Sequence, residues 1–335
     1  MSAIPKIRVG ISVGDPNGIG FEIILKAFED KRIFDFFTPI VFAHANNCIE
    51  ERKKLGLSTS IFRLKNLKNP NKGQLNVVDV WSTPFPIAYG KEQQEAGAHA
   101  ITSLEAATLA LKNGAVDVLV TAPIHKKSIQ SDSFKFPGHT DYLNKQLAGE
   151  SLMFMVTDTL KVALMSDHIP LKDVVGFLNE EKINVKIASL EKSLIQDFGI
   201  QRPKIAVLGI NPHTGDNGVI GEEDDTLLSP LIKKWAQKGS LVFGPYPADG
   251  FFGNQSYTKF DAVLATYHDQ GLIPFKTLSF GQGVNFTAGL SHVRTSPDHG
   301  TAFDLAGKGE ADPSSFTAAV YCARSIFLQR EETKE

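Results

Sequence analysis

Two rhythms of apolar residues alternate along the chain. Short runs rich in β-branched residues, at 6–13 (KIRVGISV), 39–43, 116–121, 152–156, 161–165, 204–210 and 262–266, read as buried strands. Helical spacing covers 21–28, 46–55, 92–113, 184–198 and 317–330. Thr157-Asp158-Thr159 joins two of the strands as a pair, and the polar stretch 65–74 is a loop by composition. Strands regularly followed by helices predict an α/β fold with largely parallel sheets. A chain of 335 residues has room for one large or two ordinary α/β domains. No linker rich in Pro, Ser or Gly separates two halves, so two domains would share strands or connect more than once.

Composition narrows the class. Hydrophobic residues are 42% and charged residues 21%, as in ordinary globular proteins. A net charge of -2 provides neither a basic field for nucleic acid nor an acidic tail. The two cysteines, Cys48 and Cys322, do not make a disulfide framework and suit a reducing compartment. Residues 1–14 lack a signal-peptide pattern, and no apolar run would span a bilayer. The expectation is a cytoplasmic protein without membrane or nucleic-acid partners.

In open α/β sheets, ligands bind beyond the carboxyl ends of strands. Five distinctive polar turns follow predicted strands: GDPNG, TAPIHK, SDHIP, NPHTGDNG and YHDQG. Equivalent positions suggest one shared cleft. Chain reversal calls for Gly, Pro or Asn, but His168, His213 and His268 lie in three of these turns. Three neutral imidazoles form a recurrent catalytic metal set with an open position for substrate. They add no ligand charge, so the metal stays a strong Lewis acid. Alternatively, these are three ordinary loop histidines; they are far apart in sequence and no HExxH-type pattern links them.

Other segments also leave two readings open. Gly14–Gly20 (GDPNGIG) fits neither GxGxxG nor GxxxxGK[ST]. It is an anion-binding helix start or a tight turn with Gly for close packing. Lys276, Asn285 and Arg294 recur at nine-residue intervals, as an anion site or as three solvated residues. Thr140 is a helix N-cap or, with its neighbour His139, faces the cleft. In 299–309 (HGTAFDLAGKG), the glycines allow close backbone approach and Asp304 can accept hydrogen bonds from a ribose; a capped loop is the other reading.

Taken together, GDPNGIG, TAPIHK, FPGHTDYL, SDHIPL, NPHTGDNG, YHDQGLIPFK, GVNFTAGL and RTSPDHGTAFDLAGKGEADP resemble, in order and from Gly14 to Pro313, the 4-hydroxythreonine-4-phosphate dehydrogenase family of pyridoxal phosphate biosynthesis. The last segment is also similar to the cofactor loop of isopropylmalate and isocitrate dehydrogenases. The resemblance implies an isocitrate/isopropylmalate dehydrogenase-like fold, with two α/β/α domains around a central cleft. Residues 1–135 plus about 290–335 would form the first domain and 136–289 the second, which holds much of the metal and substrate site. It also implies a homodimer with its active site at the subunit interface.

The resemblance assigns the metal to His168, His213 and His268. Substrate contacts go to His139, Thr140, Lys276, Asn285 and Arg294, and catalytic positions to Lys276 and Asp249. The isopropylmalate-type likeness places Gly300 and Asp304 at NAD or NADP. Zinc is favoured by the nitrogen ligands, with magnesium, manganese or cobalt as alternatives. The sequence departs from the family pattern at Phe21, where Pro is usual, and at His125, where Asn is usual.

The implied reaction is NAD(P)-dependent oxidation of 4-phosphooxy-L-threonine to 2-amino-3-oxo-4-phosphooxybutanoate, which decarboxylates to 3-amino-2-oxopropyl phosphate. Lys276 or a bound water takes the hydroxyl proton. Relatives acting on phosphorylated sugar acids (phosphoerythronate, phosphothreonate) or aromatic dihydrodiols define an alternative. A non-catalytic metabolite-binding protein is a third reading, although it would need neither the histidines nor the HGTAFDLAG string.

Overall fold

A computed structural model describes residues 6–334; residues 1–5, part of the N-terminal stretch read above, and residue 335 lie outside the described residues. The elements begin with β1 (Ile7–Ser12), α1 (Gly20–Ala27), β2 (Phe37–Ala43), α2 (Ala45–Lys54), β3 (Ile61–Arg63) and β4 (Leu75–Asp79). Then come α3 (Gln94–Lys112), β5 (Val118–Thr121), α4 (His139–Gln146), β6 (Gly149–Val156) and β7 (Lys161–Leu164). Next are α5 (Val174–Phe177), α6 (Glu180–Gln196), β8 (Lys204–Leu208), α7 (Ser229–Gln237) and β9 (Leu241–Tyr246). The chain closes with α8 (Ala248–Gly253), β10 (Ala262–Ala265), α9 (His268–Ser279), β11 (Val284–Leu290), β12 (Arg294–Pro297) and α10 (Ser314–Glu332).

The described residues form two compact units, 6–149 with 290–327, and 150–289 with 328–334. Residues 136–149, expected with the second domain, cluster with the first unit. The reason is α4, which buries Tyr142 and Leu143 in the same core as Leu104, Leu119, Ile129 and Phe134.

Strands of the first unit lie in the order β3-β4-β2-β1-β5-β12, every pair parallel. Parallel strands covered on both faces need continuous apolar sequence, and β2 (FTPIVFA) is buried at every position. Helix α3 packs on β1 and β2 through small residues. Its Ser103 hydroxyl donates to Phe42 O (2.5 Å) and accepts from Val13 N–H (3.0 Å), so strand-end backbone groups are paired inside the core. Phe21, the departure from the family pattern, is a packing residue: it is buried edge-on to Trp81.

The second unit runs β11-β6-β7-β10-β8-β9. Here β7, β10, β8 and β9 are parallel, while β6 and β7 form the antiparallel pair expected around Thr157-Asp158-Thr159. Thr157 holds that hairpin, its hydroxyl bonding Leu160 on both the N–H and carbonyl sides (3.0 and 3.1 Å). The core here comprises Val162, Leu164, Ala206, Leu208, Phe251, Val263 and Phe275.

Candidate active site

The three histidine turns of the second unit follow β7, β8 and β10, which are neighbours in its sheet. Polar side chains lace the strand ends together. Ser166, two residues before His168, donates its hydroxyl to Thr266 O (2.7 Å). Gln270, in the first turn of α9, accepts from Thr266 N–H (2.8 Å) and donates to Gly209 O (2.7 Å). One serine, one threonine and one glutamine thus tie the SDH, NPH and YHD turns into a single edge.

The rings of His168 and His268 lie 5.8 Å apart, centroid to centroid. Two imidazoles sharing one ion through ~2.1 Å bonds would have centroids roughly 5–6 Å apart, so this pair fits a common metal. His268 Nδ1 bonds the Asp269 carboxylate at 2.7 Å, which orients the ring and leaves Nε2 for a ligand. His213 does not join them within this chain: among the described residues no group of three or more His, Cys, Asp or Glu side chains is placed to hold a metal.

His213 instead lies exposed in a run of left-handed residues. His213, Thr214, Asp216 and Asn217 all have positive φ (52°, 53°, 45° and 54°), with Gly215 and Gly218 beside them. Non-glycine residues adopt this region only at a cost. Asp224, fully buried, anchors the segment by accepting from Ile210 N–H (2.8 Å) and Asn211 N–H (2.9 Å). No reading of the motifs identified Asp224; only its burial distinguishes it from its acidic neighbours.

The other predicted residues of this unit are dispersed. Asp249 is exposed in the first turn of α8, and Lys276 is exposed near the end of α9. Asn285 is half-buried on β11, with a solvent-shielded Oδ1 that has no hydrogen-bond partner among the described residues.

The first unit gathers a different group. Arg294, on β12, is only 2% exposed and donates through Nη2 to Thr121 Oγ1 (2.6 Å) at the end of β5. Burial depresses its pKa to about 9, so it remains a cation at neutral pH. A solvated-surface reading of Arg294 is therefore excluded. His139 lies within its field. Burial, then the charges of Arg294 and Lys126, hold the His139 imidazole well below its ordinary pKa. Its Nε2 is shielded and has no hydrogen-bond partner among the described residues. A neutral imidazole beside a desolvated guanidinium is suited to receive an anion. Thr140 is not an N-cap: α4 opens at His139 behind Gly138, and Thr140 sits inside its first turn.

The GDPNG turn resolves in favour of close packing. A Cβ on Gly14 would lie 2.1 Å from Pro123 O, and one on Gly20 would lie 2.0 Å from Val13 O. Its amides are already paired, Asp15 N with Pro123 O, Asn17 N with Asp15 Oδ1, Gly18 N with Asp15 O and Ile19 N with Thr301 O. His125, the second departure, bonds Ser128 Oγ through Nδ1 (2.7 Å), and its ring lies 5.2 Å from that of Phe303. In the same 299–309 string Gly300 is open, with nothing within 4 Å of an added Cβ, and Asp304 is exposed. His299 Nε2 is shielded without a partner among the described residues. Exposed backbone, a carboxylate and an unused imidazole nitrogen are a donor and acceptor set that fits a dinucleotide.

Known proteins resemble this chain over nearly its full length. A 4-hydroxythreonine-4-phosphate dehydrogenase from Bacteroides thetaiotaomicron is 43% identical over 98% of this chain and 91% of its own. A D-threonate 4-phosphate dehydrogenase from Pectobacterium atrosepticum is 34% identical, covering 95% and 98%. The crystal structure of a 4-hydroxythreonine-4-phosphate dehydrogenase from Klebsiella pneumoniae superposes with a TM-score of 0.82 at 32% identity, covering 96% of this chain and all of that one. The family model described as pyridoxal phosphate biosynthetic protein PdxA matches residues 35–323, and the chain belongs to that family.

Proposed function

We propose that this chain is an NAD(P)-linked, metal-dependent 4-hydroxythreonine-4-phosphate dehydrogenase. The observation that carries the reading is the laced edge bearing His168 and His268 in a chain of this family. His168, His213 and His268 are the metal ligands. When bound, a divalent ion, zinc by ligand chemistry, supplies Lewis acidity at the substrate alcohol, and the dinucleotide accepts the hydride.

The chain's own residues do the rest. Arg294, with neutral His139 and Thr140, receives the substrate's anionic group, and Asn285 presents its amide to the substrate. Lys276 takes the hydroxyl proton, directly or through water, with Asp249 near the substrate. Gly300 and Asp304 meet the dinucleotide, Asp304 through its ribose. The oxidised product is 2-amino-3-oxo-4-phosphooxybutanoate, whose carboxylate leaves as carbon dioxide to give 3-amino-2-oxopropyl phosphate.

The working unit is a homodimer. Exposed apolar residues follow each histidine in sequence: Leu171 after His168, Val219 and Ile220 after His213, and Ile273 after His268. Single exposed apolar residues are ordinary, and a set close in sequence to three functional turns supports a surface that a partner covers. A second chain seated there completes the triad. No helix among the described residues is long and apolar enough to cross a membrane, and a cytoplasmic biosynthetic role fits.

The assay offers the protein 4-phosphooxy-L-threonine, phosphoerythronate and 4-phospho-D-threonate with NAD or NADP across a metal series. The expected result is fastest reduction of the dinucleotide, with carbon dioxide release, from the amino acid. Turnover of the sugar acids alone would move the chain to the second reading, which the D-threonate relative supports. Full turnover in strong chelator, with no metal by elemental analysis, would remove the metal role.

A further inference from the structure

The GDPNG turn and helix α1 are absorbed by neither the metal nor the anion site, yet their polar groups are elaborately engaged. What they engage is the segment between β12 and α10. Residues 301–311 there contain no helix or strand. Within the segment, Leu305 N–H reaches Ala302 O (2.9 Å) and Lys308 N–H reaches Leu305 O (3.1 Å). Its shape is set mainly from outside.

At the near end, Ile19 N–H donates to Thr301 O (3.1 Å), and Gly18 is so close that a Cβ would lie 2.8 Å from the same oxygen. In the middle, Gly90 and Gly307 admit the neighbouring chain. A Cβ on Gly90 would lie 2.8 Å from Phe303 O, and one on Gly307 would lie 2.6 Å from the Tyr89 ring. Tyr89 is itself fixed by donating to the Glu51 carboxylate (2.7 Å). Asn17, fully buried, holds the 88–91 loop behind it: it accepts from Ala88 N–H (2.8 Å) and Gly90 N–H (2.9 Å) and donates to Lys91 O (3.0 Å). At the far end, Lys26 Nζ donates to Gly309 O and Ala311 O, both at 2.8 Å, and to Glu22 Oε1. Buried Glu22 accepts Ala311 N–H at 2.8 Å.

We propose that Asn17, Glu22 and Lys26 are positioning residues for the dinucleotide, acting through the backbone of residues 301–311. This rests on the reading of Gly300 and Asp304 as cofactor contacts. An irregular segment left loose would have to be ordered when the dinucleotide arrives, at the expense of affinity. Held at both ends and in the middle, it presents a ready-made surface.

The test is the E22Q/K26M double variant, which removes both charges together and leaves no buried carboxylate unpaired. Amide exchange of the free protein, followed by mass spectrometry, should lose protection in 301–311 and keep it elsewhere. The dissociation constant for NAD or NADP, measured by titration, should rise about tenfold. KM for the phosphorylated substrate should stay within about twofold, whereas a general loss of stability would lower protection throughout the chain and leave the dissociation constant of the folded fraction unchanged. K26R, which keeps a donor to both carbonyls, should restore protection. Tyr89→Phe, at the half-buried rim, is the milder variant, with the same paired changes on a smaller scale. Exchange and dinucleotide affinity equal to wild type in E22Q/K26M and in Tyr89→Phe would overturn the proposal. Wild-type protein that binds neither NAD nor NADP would instead overturn the cofactor reading beneath it, whatever the exchange shows.

Discussion

Arg294 in the first unit and His268 in the second are built on opposite principles. Arg294 is 2% exposed and lies on a strand with Thr121 against its guanidinium, while the His268 side chain is 38% exposed at the start of a helix. Arg294, Thr121 and His139 are brought together within the first unit of this chain. The histidine edge is laced behind the rings but open in front of them, with its third member outside the pair. The difference teaches that burial among a unit's own strands is enough to desolvate a cation and strengthen its field. A metal site needs several donors converging from loops, and two of the three histidine rings approach one another here.

The strongest way to break this comparison is His268→Ala. Losing several kcal/mol of Lewis-acid stabilisation should lower kcat/KM by about 10³-fold. Metal content should fall with it, while the melting temperature changes little, since the ring is exposed. A variant that keeps its metal and its activity would show that the open edge is not the metal site. A monomeric variant that binds metal with full affinity would show that the edge needs no second chain.

Next in size is Arg294→Met. Removing one partner of a buried charge interaction typically costs 2–5 kcal/mol of binding, so kcat/KM for the phosphorylated substrate should fall about 10²-fold with metal content intact. The melting temperature of the variant is measured alongside, because removing one partner of a buried polar contact also destabilises the fold. The contrast with His268→Ala is thus in what is lost, anion in one case and metal in the other. Equal rates of wild type on the phosphorylated and dephosphorylated substrates would refute a phosphate-binding role for Arg294.

These two residues also mark what the sequence could reveal. Apolar strands such as β1 and β5 were legible because a strand buried on both faces must be apolar. β12 was not: Arg294, Thr295, Ser296 and Pro297 are all buried, yet hydrophobic pattern cannot distinguish such a strand from a loop. Helix α9 hid behind an internal Pro274 and an opening histidine. The histidine turns were legible as residue types that chain reversal does not require. Their lacing through Ser166, Thr266 and Gln270 was not, because hydrogen bonds between strand ends have no signature in spacing. Asp224 was invisible for a related reason, since a buried carboxylate and a solvated one look alike until the backbone amides around it are placed.

The smallest effect tests whether the first pocket is truly finished in the free chain. His139 has its folded-state pKa held well below 6.5, by burial first and then by Arg294 and Lys126. The unfolded chain binds this proton near pH 6.5. Above that pH both states are neutral and His139 contributes no slope. As pH falls below it, the unfolded state takes up a proton that the folded state refuses, so stability declines with acid. His139→Gln does not titrate, so the stability advantage of wild type over this variant should shrink as the pH is lowered from about 7 to 5. Parallel melting-temperature profiles would mean that the imidazole is solvated and the pocket open. Inorganic phosphate sharpens the test. An anion against Arg294 offsets the charge that opposes imidazolium, so it should raise the His139 pKa and flatten the wild-type slope. Chloride at equal ionic strength should not, because screening acts weakly on a buried pair.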